Sequence, residues 1–214
     1  MGHFLAVTAF RSDSVPETSR AISEFLLAHE VKHDVLASVP SVNHETDALL
    51  ITAPNQWVIV LWPGGFNVHD FPLALAIGRS RPWLISTVHV YDGDYWEHLA
   101  VQGPEQLHSY CSSPGYWGDE PSELERLASF QPDPGKFEAA AKASSGVLRP
   151  YLVDAQSLTG DDAKAHADDE FTLDNFWVFT DFWRRVGIIY PDAPENPAMV
   201  VRMSKWFGKR LPTG

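Results

Sequence analysis

The stretches QWVIVLWPGG (56–65), FPLALAIGRS (71–80) and PWLISTVHVYDGDYWEHLAV (82–101) decide how this chain folds. The first is an apolar run, Trp57 to Trp62, broken by Gly64-Gly65, as in a buried strand that ends in a turn. In the second, Leu73, Leu75, Ala76 and Ile77 follow Asp70-Phe71-Pro72, so a short helix from Phe71 to Ser80 opens on an acid with proline in its first turn. The third divides at Asp92-Gly93-Asp94 into strands Trp83 to Tyr91 and Tyr95 to Val101. Asp-Gly supplies the residues that tolerate positive φ in a tight hairpin.

Towards the N-terminus the same order occurs once more. Phe4 to Phe10 is a strand with apolar residues on both faces, and Ser14-Val15-Pro16-Glu17 has the form of a capping box. The helix it opens, Val15 to His29, turns the stripe of Ile22, Phe25, Leu26 and His29 inward. Val31 to Val39 alternates in the manner of a half-wet strand, and Ala48 to Thr52 reads as a buried one. The expected fold is therefore α+β, with a mainly antiparallel or mixed sheet and both helices on one face; the repeated order allows two βαββ units in tandem.

Beyond Gly103-Pro104 the pattern predicts a strand from Gln106 to Cys111, helices at Ser122 to Ala128 and Pro134 to Lys142, and a polar loop from Leu158 to Glu170. Asp174 to Val186 carries Phe176, Trp177, Phe179, Phe182 and Trp183 at helical spacing, an aromatic stripe suited to the core, with Gly187 placed to end the helix. Asn196-Pro197 reads as the cap of a last helix, with Met199, Val200, Met203, Trp206 and Phe207 inward and Arg202, Lys205 and Lys209 outward. The expectation is one domain: a sheet unit over 1–112, possible as an internal duplication, and a mainly helical and loop-rich part over 113–214.

A chain of 214 residues, 44% apolar and with eight tryptophans, can build one sizeable core, which sets it apart from disordered sequences. No apolar run approaches the roughly 20 residues of a spanning helix, and Met1 to Leu5 carries no basic leader, so a soluble, cytoplasmic protein is expected. Cys111 is the single cysteine, which excludes an internal disulfide and a cysteine-built metal cage. Among nine histidines there is no H-E-x-x-H, and no G-x-S-x-G, Walker A or G-x-G-x-x-G sequence occurs. No catalytic residue, metal or cofactor is assigned. Asp92 and Asp94, with Glu97 and His98 nearby, offer donors for a cation or for acid/base work. Adjacent strand residues face opposite sides, however, and a hairpin wants Asp-Gly for its own geometry, so turn chemistry is the stronger reading. Pairing about Gly93 should bring His89 opposite residues near 97.

The formal net charge is −12, and between Val90 and Glu170 sixteen acids face five bases, so nearly all of the excess lies there. Such a field repels nucleic acid and attracts basic proteins, although it also serves solubility. The candidate partner-binding residues are Asp119, Glu120, Asp161, Asp162, Asp168, Asp169 and Glu170. A rival reading is a small-molecule binder or enzyme whose cavity, between the two βαββ units, is lined by Trp57, Trp62, Trp83, Tyr91 and Trp96; a structural or assembly role is a third.

Val90 to Trp96, Pro114 to Trp117, Asp168 to Phe171, and Phe182-Trp183 with Gly187 to Pro191 together resemble uncharacterised bacterial proteins of similar length, some of them in toxin-immunity settings. The resemblance spans Trp83 to Pro191 and rests on aromatic and acidic punctuation. It carries over no catalytic residue; together with the acidic middle third and the absence of catalytic motifs, it leads to the expectation of a bacterial binding protein that acts by stoichiometric contact, neutralising a basic toxin or enzyme.

Overall fold

A computed structural model describes residues 4–12, 14–116, 118, 120–158, 163–192 and 196–204. Eight strands form one antiparallel sheet: β1 (Leu5–Arg11), β2 (His33–Leu36), β3 (Asp47–Ala53), β4 (Trp57–Leu61), β5 (Leu84–Tyr91), β6 (Tyr95–Gln102), β7 (Glu105–Cys111) and β8 (Met199–Met203). Their order across the sheet is β2-β8-β3-β4-β1-β5-β6-β7. The helices are α1 (Val15–Ala28), α2 (Asp70–Ser80), α3 (Pro121–Ala128), α4 (Gly135–Ala141) and α5 (Val178–Arg185).

The α+β fold, the antiparallel sheet and the pairing of α1 with α2 on one face agree with the sequence expectation. Helix α1 begins as its capping box requires, with the Glu17 amide donating to Ser14 Oγ at 3.3 Å. Ile22, Phe25 and Leu26 bury against Phe10, Leu50, Val60 and Val201 of the sheet, and Leu73, Ala74 and Ile77 of α2 extend the same core. The other face is covered by α4, α5 and the irregular chain between them. There Phe137, Leu148, Tyr151, Phe179, Phe182 and Trp183 close over Val7, Ile59, Val88 and Trp96. Central strands are thus buried on both sides, which explains their continuous apolar runs. We call the two sides the helix face and the loop face.

Two expectations fail. The chain does run β-α-β-β twice, but the sheet does not consist of two equivalent units: β3 lies beside β4, whereas its counterpart β6 is separated from β1 by β5. Residues 113–214 are not mainly helical either, because α3, α4 and α5 contribute only eight, seven and eight residues. The expected last helix is strand β8, inserted between β2 and β3. Met199, Val200 and Met203 satisfy helical spacing, but Val200-Val201 favours a pleated surface, and Arg202 lies opposite Asp47 in the register. Its guanidinium grips that buried carboxylate with Nε at 2.8 Å and Nη2 at 2.7 Å. The tertiary ion pair and the vacant pairing edge of β3 outweigh a weak helical preference. Trp206, Phe207, Lys205 and Lys209 lie outside the described residues.

Candidate functional site

The β5–β6 hairpin carries the densest chemistry. Register pairs Thr87 with Leu99, His89 with Glu97, and Tyr91 with Tyr95. These alternate residues all point to the helix face, so the ladder climbs from apolar core through a buried ion pair to an aromatic tip.

At the middle rung, Asp70 enters from the first turn of α2 and is fully buried. His89 Nδ1 donates to Asp70 Oδ2 at 3.1 Å, and Nε2 lies 3.1 Å from Glu97 Oε2. Glu97 is held from its other side by Arg126 of α3, whose Nη1 and Nη2 donate to the two carboxylate oxygens at 2.8 and 2.7 Å. Arg126 Nε reaches Glu123 at 2.8 Å. Deeper in, Trp62 Nε1 donates to Thr8 Oγ1 at 2.8 Å, Thr8 and Thr87 hydroxyls lie 2.9 Å apart, and Thr87 Oγ1 is 3.2 Å from Asp70 Oδ2. A polar chain thus runs from the core to the surface of α3.

Burial alone would lower the pKa of His89, but Asp70 and Glu97 outweigh it and hold the imidazolium to about 10. Burial would raise Glu97, and His89 and Arg126 together bring it down to about 2. A histidine fixed as a cation between two carboxylates has no free lone pair to act as a base at neutral pH. Cys111 lies near Glu97, and burial, with that carboxylate, pushes its thiol well up, which disfavours the thiolate a nucleophile requires. The arrangement is an anchor for α3 and α2 on the sheet and a support for the tip above it.

At the tip, Asp92 (φ 54°) and Gly93 (φ 79°) occupy the two left-handed positions of a tight turn, closed by the Asp94 amide on Tyr91 O at 3.0 Å. The expected turn role of Asp-Gly is therefore met. Tyr91 and Tyr95 stack with ring centroids 5.6 Å apart, Phe4 meets Tyr91 edge-on at 5.0 Å, and Tyr116 covers Tyr95 at 4.8 Å. Tyr116 donates its hydroxyl to Asp94 Oδ2 at 2.8 Å, and that bond, with the negative charge beside it, raises the phenol to about 12. Asp92 and Asp94 are exposed, and among the described residues no cation pairs with either. Glu120 is also exposed, four residues beyond Tyr116 at the start of α3.

The expected acidic surface is rearranged. Asp169 is buried: it accepts from Tyr151 OH and the His166 amide, each at 2.8 Å, and pairs with Arg184 and Arg185. Asp168 forms ion pairs with the same two arginines. Both carboxylates are paired within the chain and tie the loop to α5; Asp169 is buried there, whereas Asp168 remains exposed. Glu170 is exposed, while Asp119, Asp161 and Asp162 lie outside the described residues. The expected tryptophan cavity is likewise not formed. Trp57 and Trp96 belong to the loop-face core, Trp62 and Trp83 pack on the helix face, and Tyr91 stands at the tip. Strands β4, β5 and β6, which carry or flank these rings, lie in one sheet, and that sheet separates the rings.

His98 points to the loop face, opposite in direction to Glu97, as alternation requires. Trp183 Nε1 donates to Ser86 Oγ at 2.9 Å, Ser86 lies 2.8 Å from His98 Nε2, and His98 Nδ1 lies 2.7 Å from His108 Nδ1. If Ser86 gives its proton to His98, every group in that run has a donor for each acceptor, which makes both imidazoles neutral. Burial lowers His98 well below the usual range and His108 to about 4, consistent with that state.

Asp70 and Arg126 are missed when the sequence is read alone. Asp70 reads there only as a helix start; Arg126 carries a signal, as the sole Lys or Arg between Arg81 and Lys136. Among the described residues no group of three or more His, Cys, Asp or Glu side chains could hold a metal ion, and no helix is long and apolar enough to cross a membrane. No protein-family model, curated protein or solved structure matches the chain.

Proposed function

We propose that this is an acidic binding protein that acts by stoichiometric contact, and that its partner-facing surface is the tyrosine tip of the β5–β6 hairpin. The observation that carries the reading is the cluster of Tyr91, Tyr95 and Tyr116 flanked by Asp92 and Asp94, whose carboxylates are exposed and pair with no cation among the described residues. Half-buried Tyr91 and Tyr116, seated on buried Tyr95 beside the exposed carboxylates of Asp92 and Asp94, suit a lysine or arginine side chain, by cation–π attraction and ion pairing together. Tyrosines fixed by mutual stacking lose little further entropy on binding, as interface anchors require. The net charge of −12 would speed encounter with a basic protein. In this reading the partner is a basic toxin or enzyme, the protein is its immunity factor, and the setting is the bacterial cytoplasm. The His89–Glu97–Arg126 network keeps the tip rigid without taking part in chemistry.

Affinity capture with the full chain, followed by titration of the captured basic protein, tests this. A Y116A/D92N/D94N variant should bind at least about tenfold more weakly, with a shallower salt dependence. Replacement of the internally paired Asp168 by Asn should leave affinity unchanged. Equal affinity of the tip variant and the parent protein would overturn the proposed surface.

A further inference from the structure

At the end of the sheet opposite the tyrosine tip lies a cleft of about 240 Å³ lined by Arg11, Asn55, Trp57, Lys142, Arg185 and Gly187, together with small apolar side chains. Among the described residues its lining holds three cationic side chains and no carboxylate, in a chain whose net charge is −12. Arg11 ends β1. Its Nη1 reaches the Ala140 carbonyl at 3.4 Å, and its guanidinium lies over the Trp57 ring, 6.0 Å from the centroid. Among the described residues neither Arg11 nor Lys142 forms an ion pair. Arg185 is anchored by Asp168, Asp169 and Tyr151, which fix where its guanidinium stands.

The backbone around this cleft is unusual. Asn55 (φ 59°), Gln56 (φ 65°) and Lys142 (φ 61°) are three of the five non-glycine residues with positive φ among those described. All three stand at the cleft or immediately beside it. Gly187 (φ 78°) joins them, its carbonyl accepting from Asn55 Nδ2 at 3.0 Å. Asn55 and Gln56 form the turn between β3 and β4, and Lys142 and Gly187 close α4 and α5, so the cleft wall is built from one tight turn and two helix ends. Lys142, the left-handed residue that closes α4, lines the cleft together with Arg11.

We propose that this cleft is a binding site for the phosphate group of a small phosphomonoester. A guanidinium fork and an ammonium point charge are complementary to a tetrahedral dianion, and the Asn55 amide can supply a further donor. The volume is below the roughly 300–1,000 Å³ of most drug-sized ligand sites, so it suits one phosphate with a small substituent. The neighbouring cleft across Trp57, about 200 Å³ and lined by Ser12, Ser14, Thr52 and Gln56 among others, carries no charged side chain among the described residues. The anionic group belongs on the Arg11 side, and an uncharged hydroxyl-bearing substituent fits the other.

Titration of the isotope-labelled full chain with inorganic phosphate, at constant ionic strength and followed by amide NMR shifts, tests the site. Saturable shifts centred on Asn55, Lys142, Ala143 and Gly187 are expected, with acetate binding more weakly. Arg11→Gln and Lys142→Asn should each weaken phosphate binding at least about tenfold; Asn tolerates the left-handed backbone, so the second variant removes the charge and keeps the fold. Lys136→Gln, whose ammonium pairs with Glu105 elsewhere on the surface, should leave affinity unchanged. Shifts that grow without saturation, acetate binding as tight as phosphate, or full affinity in both cleft variants would overturn the proposal.

Discussion

His89, His98 and His108 are all buried, and their neighbours set them in opposite charge states. His89 sits between two carboxylates and is held protonated to about 10. Folding therefore gains from its proton in full below the ordinary imidazole value near 6.5, and loses that gain as the pH rises to about 10. His98 and His108 are kept neutral, His108 down to about 4. For them the unfolded chain takes up protons first, so their contribution is complete above about 6.5 and is lost as the pH falls to about 4. Urea midpoints should thus decline between about pH 6.5 and pH 4, and a His108→Gln variant should show a flatter acid limb. An unchanged limb would assign the acid sensitivity to other groups. The sequence placed His89 opposite residues near 97, but nothing in the local pattern marks a histidine as cationic or neutral. That distinction depends on Asp70, Arg126 and Trp183, which arrive from elsewhere in the chain.

Element by element, helix ends show where local chemistry is complete and where it is not. Helix α5 ends as its sequence implies: Gly187 is left-handed, its amide donates to Arg184 O at 3.1 Å, and Ile188 donates to Trp183 O at 3.0 Å. Helix α1 makes the same pair of bonds, Glu30 to Leu27 O and Val31 to Leu26 O, with Glu30 at φ 59° in the glycine position. Glu30→Gly should stabilise the protein by about 0.5–1 kcal/mol, since relief of the backbone strain exceeds the added freedom of the unfolded chain. Thermal unfolding of the two proteins in one buffer measures it. Strands β1, β3, β4, β5, β6 and β7 were legible because apolar runs and turn residues coincide there. Strand β8 was not, since Met199, Val200 and Met203 fit either period and its partner Asp47 lies far away in sequence. The tip was half legible: Asp-Gly announced the hairpin, while the covering by Tyr116 depends on how the loop after β7 folds back. The acidic loop misled because Arg184 and Arg185, which neutralise Asp168 and Asp169, sit on an element read separately.

Across the whole molecule, the sheet separates two cores, and the strand order places β8, the last described strand in sequence, inside it. Strand β2 pairs with β8, so it has no other strand to hold it to the sheet. A chain shortened to end at Tyr190 should lose hydrogen-exchange protection at His33 to Leu36 and at the outward edge of β3. Protection in β5 and β6, whose pairing is independent of β8, should decline least. Uniform loss across all strands would mean that the sheet unfolds as one cooperative unit. The two proposed surfaces occupy opposite ends of the sheet, so occupation of one does not obstruct the other.

The position of β8 also sets a timetable for biosynthesis. At about 5–20 residues per second, the ribosome delivers β2 and β3 many seconds before the strand that must lie between them. During that interval both carry unpaired backbone groups along neighbouring edges, open to strands of other nascent chains. The sheet closes only when residues near 200 leave the exit tunnel, so the nascent chain needs shielding of its β2 and β3 edges until that strand emerges.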